Sequence, residues 1–391
     1  MGNAVMGKEQ AIAAPQGATG QAFGFAPDHD ETARLAFVGA LKKFVNFDIE
    51  GRVAKLFDEA LVPAAIAAGA PAPGSRQEAA QLLEPHSLYR LWATLTYHSQ
   101  NLMWDAVQMT TDRTIEAQVA HYQALIASGT AQGSIALSDE LLVKAPVATT
   151  EIHRQPGGYW RERRADDLEA ALNYSGTVEL YRIAKGMSAG ESPPADAFGR
   201  FVSAIARKYA SDLEPQAILD MGCGTGEQTL AYKREFPEAQ VHGIDCARPF
   251  IRFAHAYAED AGVPVHFAEM DAGNTHFPDE SFDLIVSIIM FHETSKAQAR
   301  DILEECHRLL RPGGLALHLD VPYQPERTPL VRQVTNHWQV RYNGEPFWSG
   351  FAELDMKAEA IAAGFDPASA FATYETVGQA SYHFFGGRKA A

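Results

Sequence analysis

The stretch Ala217-Ile218-Leu219-Asp220-Met221-Gly222-Cys223-Gly224-Thr225-Gly226 decides how this chain is read. A short apolar run ends in an acid, and a glycine then falls at every second position. The apolar part predicts a buried strand, and the glycines predict a strand-to-helix turn. Glycine lets the backbone bend sharply and lets a ligand lie directly on it, because no β-carbon stands in the way. A helix predicted over 227–236 aims its free N-terminal N–H groups at the same spot. The ligand is therefore expected to be polar or to carry an anionic group. The dinucleotide pattern G-x-G-x-x-G does not fit, since Glu227 stands where its third glycine belongs. The phosphate-loop pattern G-x-x-x-x-G-K-[ST] is also absent.

Working outward, the same chemistry recurs at the ends of further strands. Gln240-Val241-His242-Gly243-Ile244-Asp245 is a short strand ending in an acid, about twenty residues past the loop. A carboxylate there can accept both hydroxyl hydrogens of a ribose. A third strand is read in 265–272, with Asp271 at its exit. Ser281-Phe282-Asp283-Leu284-Ile285-Val286-Ser287 is apolar enough to be buried on both faces. Arg311-Pro312-Gly313-Gly314 turns into a fifth strand. Helix-length segments separate these strands, which predicts a doubly wound α/β domain with a parallel sheet. Near the C-terminus, a helix over 351–364 precedes two strands, 370–377 and 380–385, joined by Gly378-Gln379 as an antiparallel pair.

The Asp-x-Gly-x-Gly-x-Gly form, with the strands after it in this order, resembles the class I S-adenosylmethionine (SAM)-dependent methyltransferases. The small-molecule type, similar to the ubiquinone/menaquinone C-methyltransferase group, is the nearest pattern, over about residues 195–391. The resemblance implies a Rossmann-like α/β domain with a seven-stranded, mostly parallel sheet ending in an antiparallel hairpin. It implies SAM as cofactor and methyl transfer to a small-molecule acceptor. The cofactor positions it implies are Asp220, Gly222, Cys223, Gly224, Gly226, Asp245, Cys246, Asp271, Ala272 and Ser287, with Asp271 accepting from the adenine amino group. Related enzymes carry a His-His or His-Glu pair near the substrate, where this chain has His292 and Glu293. His292 is the leading choice for a general base, because an unperturbed imidazole titrates near neutrality. Tyr159, Trp160, Tyr174 and Tyr181 are expected to form a lid over the methionine end, and Tyr323 and His337 to face the acceptor. Asp320 is expected to face the pocket and His318 the core. Two other readings stand beside this one: a non-catalytic methyltransferase-like interaction protein, and another SAM-using transferase on the same fold.

Composition narrows the partners. At 391 residues, two domains are the natural expectation. The 33 basic and 49 acidic residues leave a net charge of −16, whose field repels nucleic acid and anionic membranes. The three cysteines form no C-x-x-C pair, which fits packing residues in a reducing cytosol better than a redox or metal role. No metal is expected, and no stretch has the length of a membrane-spanning helix. Residues 1–27 are read as a mobile tail, 28–150 as a helical domain for dimerisation or substrate cover, and 151–194 as a connector. Within the helical domain, Ser87–Met109 and Ile115–Ile126 are predicted as separate helices after a break at 69–75. The stripe Tyr89, Trp92, Tyr97, Met103 and Trp104 is read first as core or interface.

Overall fold

The computed structural model describes residues 23–141, 143, 145–189, 194–322, 327–377 and 380–391. Eight strands form one sheet: β1 (Ser134–Ala136), β2 (Ala217–Met221), β3 (Gln240–Asp245), β4 (His266–Glu269), β5 (Phe282–Ile288), β6 (Leu310–Asp320), β7 (Phe371–Val377) and β8 (Ala380–Arg388). Their order is β1-β4-β3-β2-β5-β6-β8-β7. The first six are parallel, β8 runs antiparallel to β6, and β7 closes the hairpin. Seven of these strands follow the predicted pattern. The eighth, β1, comes from the N-terminal half and pairs with the β4 edge. Three residues are too few to show a period-two pattern, so sequence alone did not reveal it.

β2 is buried at all five positions, because helices cover both faces of the sheet. The chain winds to β3 and β4 on one side of β2 and to β5 and β6 on the other. The direction switches between β2 and β5, and such a switch opens a crevice at the strands' C-terminal ends.

The N-terminal half is mostly helical. Asp28 and Glu31 cap its first helix reciprocally, and helical segments with two π-turns continue to Ala67. Ser87–Ser128 is a single helix of 42 residues, not two. It contains no Gly or Pro, so nothing interrupts it until Gly129 adopts φ +62°. Its aromatic stripe packs inward, with Trp92, Met103 and Trp104 buried. Trp92 meets Trp338 of the C-terminal half edge-on at 5.5 Å. The tail read over 1–27 does not extend through Phe23, which is buried against His121 and Phe253, while residues 1–22 lie outside the described set. The C-terminal helix read over 351–364 is two short helices, Trp348–Ala352 and Met356–Ala362. Asp355 divides them by capping the backbone N–H groups of Lys357 and Ala358. Among the described residues, no helix is long and apolar enough to cross a membrane.

Candidate functional site

The glycine loop leaves β2 with three positive backbone angles: φ is +67° at Gly222, +54° at Gly224 and +83° at Gly226. A β-carbon at Gly222 would collide with the side chain of Met290. One at Gly224 would meet no atom within 4 Å, so the loop presents open backbone to the space above it. Asp245, at the end of β3, holds this loop. Its Oδ2 accepts from the Gly224 N–H at 3.1 Å and its Oδ1 from the Ala247 N–H at 2.9 Å. Each oxygen keeps a second lone pair for a ligand hydroxyl. Burial pushes this carboxyl up to about 6. Asp271 follows β4, and its Oδ1 accepts from the Gly273 N–H at 2.8 Å.

Gly222, Gly224, Asp245, Cys246, Asp271 and Ala272 line one side of a cleft at the strands' C-terminal ends. Tyr159, Trp160, Tyr174, Phe250 and Met290 form an apolar wall, and Glu293 sits among the lining residues. The rings of Tyr159, Tyr174 and Phe250 lie 5.3–5.9 Å apart, edge to face. Ile289 lines the same cleft at φ +56°, an unusual angle for a β-branched residue, fixed by its N–H bond to Leu319. The open backbone at Gly224, a two-oxygen acid and an apolar wall together suit a ligand with a hydroxylated polar body and a flat ring.

Several residues singled out in the sequence stand elsewhere. Asp220 is buried beneath the loop, where it accepts from the Thr229 hydroxyl at 2.6 Å. Cys223 and Gly226 do not line the cleft, and Gly226 instead packs closely on Ala254. Ser287 points into the sheet's core and bonds His318 at 2.8 Å. Tyr181 lies two helical turns beyond Tyr174, 45% exposed, with Lys42 over its ring. His337 is on the helix Leu330–Tyr342, beside Arg76 and Tyr89 in a separate depression. Asp320 does not face the cleft but supports the loop beneath it. Tyr323 lies outside the described residues. Burial raises the thiols of Cys223 and Cys246, so neither is a thiolate at neutral pH.

Around Glu293 the structure gathers a polar cluster. The short turn Phe291–Glu293 is fixed by Asp320, whose Oδ2 accepts from the N–H groups of Phe291 and His292. Asp320 Oδ1 lies 2.8 Å from His292 Nδ1. From the other half of the chain, His153 places Nε2 2.9 Å from Glu293 Oε1 and pairs its Nδ1 with Glu345. Tyr159 donates to the same Glu293 oxygen at 3.3 Å. Burial opposes a charge on His292, but the Asp320 carboxylate outweighs it and pushes the imidazole up to about 9. A raised imidazole disfavours the neutral form that the general-base reading of His292 needs. His153, Glu345 and the role of Asp320 escaped the sequence reading. His153 and Glu293 are 140 residues apart, and no motif surrounds His153.

Residues 218–314 match the family model described as a methyltransferase domain. Over 124 residues the chain is 38% identical to the demethylmenaquinone methyltransferase of Thermus thermophilus, covering 31% of this chain and 56% of that protein. It is 30% identical over 165 residues to the uncharacterized methyltransferase YcgJ of Bacillus subtilis, covering 42% and 59%. The matched segments span little more than half of these relatives' lengths. A solved structure of Haemonchus contortus phosphoethanolamine N-methyltransferase 2 in complex with S-adenosyl-L-methionine aligns over 49% of this chain and 53% of that one, with 16% identity and a TM-score of 0.39.

Proposed function

We propose that this chain, whose residues 218–314 match a methyltransferase domain, is a class I SAM-dependent enzyme that methylates a small-molecule acceptor held in the cleft. The residues that would hold SAM are Gly222, Gly224, Asp245, Cys246, Asp271 and Ala272. SAM supplies a methyl group already made electrophilic by its sulfonium. What remains for the protein is to align an acceptor with that methyl group and to exclude water. Tyr159, Trp160, Tyr174 and Phe250 supply an apolar wall that favours a flat or partly apolar acceptor. Glu293 is the acidic side chain at the acceptor's end, positioned by Tyr159 and His153 to accept a hydrogen bond or a proton. His292, held by Asp320, fixes the turn that carries Glu293.

The observation that supports this reading most is the meeting of the open Gly224 backbone, Asp245 and Glu293 in one cleft. Calorimetric titration with S-adenosylhomocysteine (SAH), followed by transfer from methyl-labelled SAM to a panel of phenols, thiols and quinols, tests it. One-to-one SAH binding with label in an organic product supports methyl transfer. Absence of SAH binding overturns it.

A further inference from the structure

We propose that His153, His292 and Glu293 are the protein ligands of one divalent transition-metal ion at the acceptor end of the cleft. One ligand atom from each of His153, His292 and Glu293 lies within 4.8 Å of the other two. His153 Nε2 is 2.9 Å and His292 Nε2 is 3.9 Å from Glu293 Oε1. Tetrahedral ligation at about 2.0–2.1 Å places ligand atoms about 3.3 Å apart, close to the two separations measured from Glu293. The remaining ring nitrogens are already occupied. Each Nδ1 faces a carboxylate, Glu345 for His153 and Asp320 for His292, which directs both Nε2 atoms at Glu293. Carboxylates behind metal-bound histidines commonly fix the tautomer and ring orientation in this way.

Charge balance points the same way. The three carboxylates Asp320, Glu293 and Glu345 surround two imidazoles, and all but His153 are largely buried. The backbone is also shaped for the purpose. His153 holds φ +53° and Arg154 φ +60°, both in the left-handed region. His153 is kept there by its N–H bond to Gly344 and by Gln100 and Trp104, which both donate to its carbonyl. Two separate segments, the Ser87–Ser128 helix and the loop at Gly344, therefore converge to place one imidazole.

Three protein ligands of the N, N, O type leave a position open, as in catalytic zinc and 2-His-1-carboxylate sites. Glu293 lines the cleft, so the site borders it. Its role rests on the methyl-transfer reading: the ion would take an acceptor bearing a thiol or phenol and lower the pKa of that group. The acceptor's proton leaves to water, and its lone pair forms the bond to the methyl carbon. The carbon–sulfur bond then breaks with its electron pair going to sulfur. Metal binding itself does not depend on that reading.

The test loads purified full-length protein with Zn²⁺ and with Co²⁺ after chelator treatment. It measures bound metal by mass spectrometry and follows the visible spectrum of the Co²⁺ form, with SAH titrated in parallel. The expected result is one equivalent of metal, lost in His153→Gln and Glu293→Gln. Glu345→Gln, which leaves the strained backbone in place, should weaken binding ~10–100-fold. SAH binding without stoichiometric metal, or metal unchanged in these variants, overturns the site and leaves the methyl-transfer reading standing. Metal binding without SAH binding supports the site and removes its assigned role.

Discussion

Asp245 already accepts two backbone N–H groups, and its buried carboxyl yields a quantitative prediction for ligand binding. Its carboxylate is buried, and burial pushes it up to about 6. If it accepts the ribose hydroxyls of SAH, the ligand binds the ionised form. Affinity then follows the ionised fraction. It is full above about pH 7 and falls as pH drops through 6, each pKa unit being worth about 1.4 kcal/mol. At pH 5 roughly one molecule in eleven is ionised, so the SAH dissociation constant should rise about tenfold relative to pH 8. Asp245→Asn keeps the shape and still satisfies one of the two backbone N–H groups that the acid now holds. It loses the charge, with an expected penalty of about 1.5–3 kcal/mol, or roughly 10–150-fold in affinity. The variant should also lose the pH dependence. Calorimetry with SAH at several pH values between 5 and 8 reads both effects. A flat wild-type profile, or the same slope in the variant, refutes the assignment of Asp245 to the ligand.

Three further outcomes follow. Gly224→Val places a side chain in the open space above the loop at φ +54°; SAH affinity should fall at least about tenfold, with a folding cost of about 1–2 kcal/mol, and unchanged affinity by calorimetry would place the ligand elsewhere. His318 is wholly buried beside Ser287 and Cys306, and burial pushes it down to about 3. The unfolded chain binds a proton near pH 6.5 that the folded one refuses, so stability is full above that pH and declines towards pH 3. Urea unfolding should show about 2 kcal/mol of this loss by pH 5, absent in His318→Gln, and equal slopes in both proteins would contradict the cause. Trp338→Ala removes a buried ring that packs on Trp92 across the two halves; it should cost about 3–5 kcal/mol in urea unfolding, and a loss below about 1 kcal/mol would show that this contact does not join them.

How much of this was legible depended on locality. The glycine loop, Asp245 and Asp271 lie on consecutive strand ends, so periodicity and turn chemistry place them together. Asp220 and Ser287 belong to the same motifs, yet strand alternation turns their side chains into the core rather than the cleft. The cover over the site was legible only in part. Tyr159, Trp160 and Tyr174 line it, whereas Tyr181 lies two turns further along the same helix, beyond the cleft. The unbroken Ser87–Ser128 helix was split in the sequence reading because its apolar stripe weakens around Thr110, Thr111 and Thr114, which are nonetheless buried. His153 could not be paired with Glu293 from sequence at all. Their meeting depends on a left-handed turn held by Gly344, Gln100 and Trp104, contacts that no local pattern encodes.

The most direct test of the central claim is a crystal structure of the full chain grown with SAH. The account predicts the ribose hydroxyls on Asp245, the backbone of Gly222 and Gly224 against the ligand, and its sulfur turned towards Tyr159 and Glu293. SAH bound away from this cleft, or a cleft without ligand at saturating SAH, would contradict it.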